Sequence, residues 1–142
     1  EIVHYCGLTV IQLHGKESPE YCLNFQNRIL KALQVTPQMT PEDLTPYHDA
    51  VSGFLLDAYH KEKGGGTGET FDWSLIDSLK IKKPLVLAGG LTVDNVGEAI
   101  HRVRPFAVDV NSGIEKEPGR KDTALISKLV SEVRAADQKK TL

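Results

Sequence analysis

The sequence predicts a parallel α/β fold, and three observations carry that prediction. Five short apolar runs alternate with longer helical patterns. The runs read as apolar on both faces, which suits a parallel sheet. Each run stops at a glycine, polar or acidic residue that suits a strand end. Two architectures fit: an open, five-stranded doubly wound sheet, or part of a (βα)8 TIM barrel. A length of 142 residues favours the open sheet, because a complete barrel usually needs roughly 200 residues or more.

The elements follow in order. Val10-Ile11-Gln12-Leu13-His14-Gly15 is a strand ending at glycine. Ser18-Pro19-Glu20 starts a helix, with serine as cap and proline suited to the first turn; Cys22 falls on this amphipathic helix as a packing residue. Arg28 to Val35 is the next strand, although its pattern also suits a helix. Thr40-Pro41-Glu42-Asp43 repeats the cap-proline start. Gly53-Phe54-Leu55-Leu56-Asp57 is a short buried strand ending in an acid. A glycine-rich loop follows, Gly64-Gly65-Gly66-Thr67-Gly68, and Asp72 then caps a helix beginning at Trp73. Pro84 to Ala88 is a strand stopping at Gly89-Gly90, and Thr92 caps a helix running through Val103. Phe106 to Val110 is a strand stopping at Asn111-Ser112-Gly113. The last helix runs from about Thr123 to Ala136, with Leu125, Ile126, Leu129, Val130 and Val133 on one face. No linker or low-complexity tract interrupts this order, so residues 1–142 read as a single domain.

Composition narrows the partners. The net charge is −2, with 40% hydrophobic and 25% charged residues. No Lys/Arg-rich run points to nucleic acid or a membrane surface, and no apolar run reaches the length of a bilayer span. Cys6 and Cys22 have neither metal-ligand nor disulfide-framework spacing. His4, His48, His60 and His101 show no metal-ligand spacing either. A reduced, cytoplasmic protein without a metal is the expectation. Residue 1 is Glu rather than Met, so the chain need not begin where its gene begins.

Ligands of parallel α/β folds meet the C-terminal ends of the strands. Two of those ends are informative together. Gly-Gly at 89–90 and Ser-Gly at 112–113 sit one βα unit apart and expose backbone N–H groups side by side. Glycines let a phosphate approach the backbone closely. Used only as tight turns, the same glycines would bind nothing. Asp57 ends an apolar strand, where a carboxylate partly withdrawn from water holds its proton more tightly and suits a general acid; a helix cap or an ion-pair partner is the plainer use. The long loop at 58–70 suits a lid, but it is not a P-loop, because no Gly-Lys-Ser/Thr follows. Asp109 alternates with Val108 and Val110 and points to the opposite face, where a hydrogen-bonded structural acid also fits. Gln12 and His14 lie near the end of the first strand, and His14 suits either substrate orientation or a satisfied strand end.

Read in order, these ends resemble the phosphoribosylanthranilate isomerases of tryptophan biosynthesis. The stretches are VIQLHG (10–15), LLDAYHKEKGGGTGETFDW (55–73), LVLAGGLTVDNVGEAI (85–100) and FAVDVNSGIEKEPGRKD (106–122). The resemblance implies a (βα)8 barrel and an Amadori rearrangement of N-(5-phosphoribosyl)anthranilate to a 1-deoxyribulose phosphate, with no cofactor and no metal. It implies Asp57 as general acid and Gly89, Gly90, Ser112 and Gly113 as holders of the substrate phosphate. The small-molecule partner is a phosphosugar.

The matched strands are the family's fourth to eighth, about five of its eight βα units. Strands one to three, roughly 75 residues at barrel proportions, are unmatched. With them go the family's general-base cysteine, in a Lys-x-Cys-Gly run, and an arginine expected to hold the anthranilate carboxylate. The text Cys6-Gly7-Leu8-Thr9 imitates that run. Eight residues of strand at ~3.3 Å each would nevertheless put Cys6 up to about 26 Å from His14, at the opposite end of the sheet. Cys6 therefore reads as a buried residue of a helix-to-strand junction. The expectation is a segment that is inactive alone, and poorly soluble or self-associating through its two open sheet edges unless it pairs with N-terminal βα units. The competing reading is a non-catalytic, phosphate-binding α/β module.

Overall fold

The computed structural model describes residues 2–58 and 72–138. A short helix α1 (Ile2–Tyr5) precedes β1 (Val10–Leu13), α2 (Pro19–Cys22), β2 (Arg28–Gln34), α3 (Pro41–Leu44) and a 3-10 turn at Thr45–Tyr47. Then come β3 (Gly53–Asp57), α4 (Ser74–Ser78), β4 (Leu85–Ala88), α5 (Val96–Val103) and β5 (Ala107–Val108). A hairpin of β6 (Glu115–Glu117) and β7 (Arg120–Lys121) leads into α6 (Thr123–Gln138). None of the described helices is long and apolar enough to cross a membrane.

The sheet order decides between the two architectures. The five strands run β1-β2-β3-β4-β5, and every neighbouring pair is parallel. A doubly wound sheet reverses its order at a switch point; this one never reverses. The open doubly wound alternative is therefore wrong, and the described strands form a singly wound parallel sheet of the barrel-like kind. Its physical basis is simple. Right-handed crossovers repeated in one direction lay their helices on one face of the sheet.

Burial follows that rule. Leu13, Ile29, Phe54, Leu56, Leu85 and Leu87 share a core with Cys22, Leu44, Ile76, Leu79 and Ala99 from the connecting segments. Leu55, of opposite parity to Phe54 and Leu56, lies outside that core. The other face is partly uncovered: Val10 is 46% exposed, Gln12, Gln34, Ala107 and Asp109 are exposed, and Ala32 and Val86 are half-buried. The expected burial on both faces is corrected accordingly. Apolar composition showed that the strands are internal, but it could not show how many layers flank them.

Other boundaries also move. Ser18 caps α2 by accepting the Tyr21 N–H at 3.3 Å, but α2 is only four residues long. Asp43 accepts the Thr40 N–H at 2.8 Å, and Asp72 accepts the Ser74 N–H at 3.0 Å. The helix expected from Thr92 begins at Val96. The strand expected over Phe106 to Val110 contracts to two residues, and Phe106 is 82% exposed. On α6, Leu129 and Ala136 are buried, while Ile126 and Val130, assigned to the apolar face, are exposed. That helix packs on α5 through Val96, Ile100, Leu129 and Ala136, a narrower seam than its apolar pattern implied.

Candidate functional site

Parallel register fixes which side chains share a face at the C-terminal end of the sheet. Gln34, Asp57 and Ala88 stand level across β2, β3 and β4. Leu87 pairs with Val108, so Asp109 follows one step beyond, level with Ala88. Its N–H donates to the Leu87 carbonyl at 2.8 Å. Val108 and Val110 contact the helix-side core, so parity puts Asp109 on the uncovered face with Asp57 and Gln34. On β1, Gln12 is level with Leu30; His14, two residues on, shares its parity. Asp57, Asp109 and Gln12 therefore belong to the open face, and His14 follows one residue past the end of β1. Asp57 itself is half-buried. Backbone bonds lock its level: Val35 N–H donates to the Asp57 carbonyl and Ala58 N–H to the Ala88 carbonyl, both at 2.9 Å.

The two glycine-bearing ends meet. Gly89 and Gly90 have φ of +88° and +64°, a conformation that glycine adopts without steric cost. Thr92 and Gly113 form an isolated parallel bridge. A Cβ added to Gly113 would lie 1.9 Å from the Leu91 carbonyl oxygen, so only glycine lets the two turns touch. Ser112 is exposed beside this contact. Asn95 binds the first turn at two points, accepting the Thr92 N–H at 2.8 Å and donating to the Gly90 carbonyl at 3.0 Å. Lys121 holds the second turn, donating to the Asn111 carbonyl at 2.9 Å, to Asn111 Oδ1, and to Glu115 Oε1 at 2.7 Å. That hydrogen bond holds the Glu115 carboxyl below its ordinary value.

The end of β1 is fastened differently. Lys31 on β2 is 1% exposed and donates to the Gly15 carbonyl and to Glu17 Oε2, both at 2.7 Å. Glu17 in turn accepts the Gly15 N–H at 2.9 Å. The Lys31 hydrogen bond lowers the Glu17 carboxyl from its ordinary value. Asn95, Lys121, Lys31 and Glu17 escaped the sequence reading. One signal was available: Lys31 is a charge on the buried parity of an apolar strand, which demands a partner.

Neither cysteine joins this cluster. Cys6 precedes β1, and the neighbouring Leu8 carbonyl accepts from Asn27 Nδ2 at 2.7 Å just before β2 begins. It therefore lies towards the N-terminal end of the sheet, away from Asp57, and it is exposed rather than buried. The junction simply has no layer over it. Cys22 is buried among the helix-side residues, and burial pushes its thiol up. The Gly64–Gly68 loop and His60 lie outside the described residues. No group of three or more potential metal ligands occurs among the described residues.

Comparison with known proteins bears on the same residues. A family described as N-(5'-phosphoribosyl)anthranilate (PRA) isomerase matches residues 1–132. The chain is 50% identical over 126 residues to an N-(5'-phosphoribosyl)anthranilate isomerase of Chromohalobacter salexigens, covering 89% of this chain and 59% of that protein. It is 46% identical over 125 residues to one from Pelobacter propionicus, covering 88% and 59%. The chain thus spans about three-fifths of the length of these curated relatives. The crystal structure of phosphoribosyl anthranilate isomerase from Thermotoga maritima superposes with a TM-score of 0.74 at 38% identity, covering 94% of this chain and 65% of that one. A phosphoribosyl anthranilate isomerase in complex with reduced 1-(o-carboxyphenylamino)-1-deoxyribulose 5-phosphate superposes with a TM-score of 0.72 at 36% identity, covering 94% and 63%.

Proposed function

The chain belongs to the N-(5'-phosphoribosyl)anthranilate isomerase family, and from that premise we propose that it provides the acid and the phosphate-binding side of this isomerisation. The substrate is the aminoaldose phosphoribosylanthranilate, and the product is its 1-deoxyribulose phosphate isomer. The observation that carries the reading is the shared end of β3, β4 and β5: Asp57 stands next to the touching turns that hold Gly89, Gly90, Ser112 and Gly113.

The chemistry runs on proton positions. Asp57 donates a proton to the ribose ring oxygen, the C1–O bond breaks, and the aniline nitrogen lone pair forms a Schiff base. A base removes the C2 proton to give an enolamine, which tautomerises to the ketone. Backbone N–H groups of the two turns fix the phosphate and so place C1 near the acid. Asp109 and Gln12 lie on the same face and, with His14 just past the end of β1, bound the sugar.

The base is assigned outside the five strands. Cys6 lies towards the far end of the sheet, and Cys22 is a buried thiol on the covered face. Turnover is therefore expected when these strands are supplied with βα units that carry a base. Loss of anthranilate fluorescence reports it, for this chain alone and mixed with a polypeptide of the first three βα units of a relative. Asp57→Asn should lower that turnover by roughly a hundredfold or more. Full turnover in that variant sinks the assignment of the acid.

A further inference from the structure

The end of β1 carries a device that nothing in the reaction requires by itself. Gly15 is held through both of its peptide units. Its N–H donates to Glu17 Oε2 at 2.9 Å and to Oε1 at 3.2 Å. Its carbonyl accepts from Lys31 Nζ at 2.7 Å. The carboxylate and the ammonium are themselves 2.7 Å apart, so the four groups close a ring. Lys31 also lies 5.8 Å from the centre of the Tyr47 ring, and the Tyr47 hydroxyl donates to the Glu17 carbonyl at 2.9 Å.

A buried ion pair is a poor source of stability, because desolvation offsets its attraction. What it supplies is a fixed geometry. Lys31 is level with Leu13 on the covered face, and Gly15 lies two residues past Leu13 with the same parity. His14 stands between them, one residue past the end of β1, and strand alternation carried one step further would turn it to the open face. The backbone on either side of His14 is thus held from the covered face, by buried Leu13 before it and by gripped Gly15 after it. Gly15 also leaves no spare room, since a Cβ there would lie 2.9 Å from Glu17 Oε1. The carboxylate cannot swing aside freely while Lys31 holds it.

We propose that Lys31 and Glu17 are positioning residues of the site, clamping Gly15 from the covered face so that His14 is held against the phosphosugar on the open face. This rests on the isomerase reading for the identity of the ligand, but not for the clamp itself.

The test separates positioning from stability. Lys31→Met, Glu17→Gln, Gly15→Ala and the double variant Lys31→Met/Glu17→Gln are compared with the parent chain. Readouts are the Gly15 amide exchange rate and the His14 ring resonances by NMR, the denaturation midpoint, and KM and kcat in the complemented fluorescence assay. The single variants should lose Gly15 protection, shift the His14 resonances, and raise KM roughly ten- to a hundredfold with kcat little changed. The double variant removes both charges, so its midpoint should recover relative to Lys31→Met, while Gly15 exchange, His14 shifts and KM stay altered. If His14 resonances and KM return with the midpoint, or never move, the pair is only structural and the inference is overturned. Should Lys31→Met fail to fold, Glu17→Gln and Gly15→Ala decide the matter alone. Absence of turnover in the complemented parent chain would count against the isomerase reading, and the NMR readouts would still decide the clamp.

Discussion

The two faces of the five-stranded sheet are made from the same strands and do opposite work. On the covered face, Phe54, Leu56 and Leu87 are fully buried and Ile29 is 2% exposed. On the open face, the same strands present Gln12, Gln34 and Asp109 to solvent and hold Asp57 half-buried. Successive residues of one strand therefore belong to different systems, one set by packing and the other by polar chemistry. Phe54 and Asp57 are three residues apart, yet a substitution at each should register in a different measurement.

The covered face sets the largest effect. Phe54→Ala should lower unfolding free energy by about 3–5 kcal/mol through lost transfer energy and a residual cavity. Urea or guanidinium denaturation checks it, and an unchanged midpoint would break the contrast between faces. Gly113→Ala comes next, at about 1–3 kcal/mol, because its methyl meets the Leu91 carbonyl backbone rather than a side chain that can turn away. It should also misalign the two turns and raise KM for a phosphorylated substrate. A variant with wild-type midpoint and KM would show that the turns need not touch.

Acid should act on the clamp between the faces. The Lys31 hydrogen bond holds the Glu17 carboxyl below its ordinary value of 4.5. A depressed carboxylate contributes stability that is fully present above its unfolded value and is lost as pH falls through the lower folded value. Beside it stand the Lys31 ammonium, its hydrogen-bond partner, and the Cys22 thiol, which burial pushes up, while the Tyr47 hydroxyl binds the Glu17 backbone carbonyl rather than the carboxylate. Glu20 titrates close by, lowered by its bond with Ser18. Denaturation midpoints measured downward from pH 6 should therefore fall more steeply in the parent chain than in Glu17→Gln. Parallel curves would detach the clamp from Glu17 ionisation, and Glu20→Gln separates the neighbour's share.

Much of this division was legible in the sequence, but unevenly. Strand ends announced themselves, because a parallel strand must stop at residues that can turn: Gly15, Asp57, Gly89 and Ser112. The resemblance of those ends to a known family then supplied the chemistry. What stayed hidden depends on long-range geometry. Apolar alternation cannot say whether a second layer lies over Val10 or Ala107, so full burial on both faces was expected, whereas the second face is buried only around Leu55 and Ala88. The β5 strand shrank to Ala107–Val108, since an edge strand can lose pairing without any change in composition. Lys31 was visible as a charge in an apolar run, but its partner lies 14 residues away along the chain, and only the β1–β2 register brings them together. Asn95 was closer to hand: an asparagine just past a Gly-Gly turn is the kind of short polar side chain that bonds back to the turn's backbone, as it does to Thr92 and Gly90.

The smallest effect is the sharpest test of the open face. Gln12 has the same parity as His14, is exposed, and precedes the buried Leu13 directly. If the open face contributes ligand contacts rather than packing, Gln12→Ala should change the denaturation midpoint by no more than about 0.5 kcal/mol. Leu13→Ala, one residue on, should cost about 2–5 kcal/mol, because Leu13 belongs to the helix-side core. The pair makes the comparison internal to one strand, with Gln12 level with Leu30 and Leu13 level with Lys31 on β2. A Gln12→Ala loss approaching that of Leu13→Ala would mean that both faces of β1 are packed when the protein is folded in solution. The open face would then be a covered one, and the site at its upper end would have to be redrawn around whatever covers it.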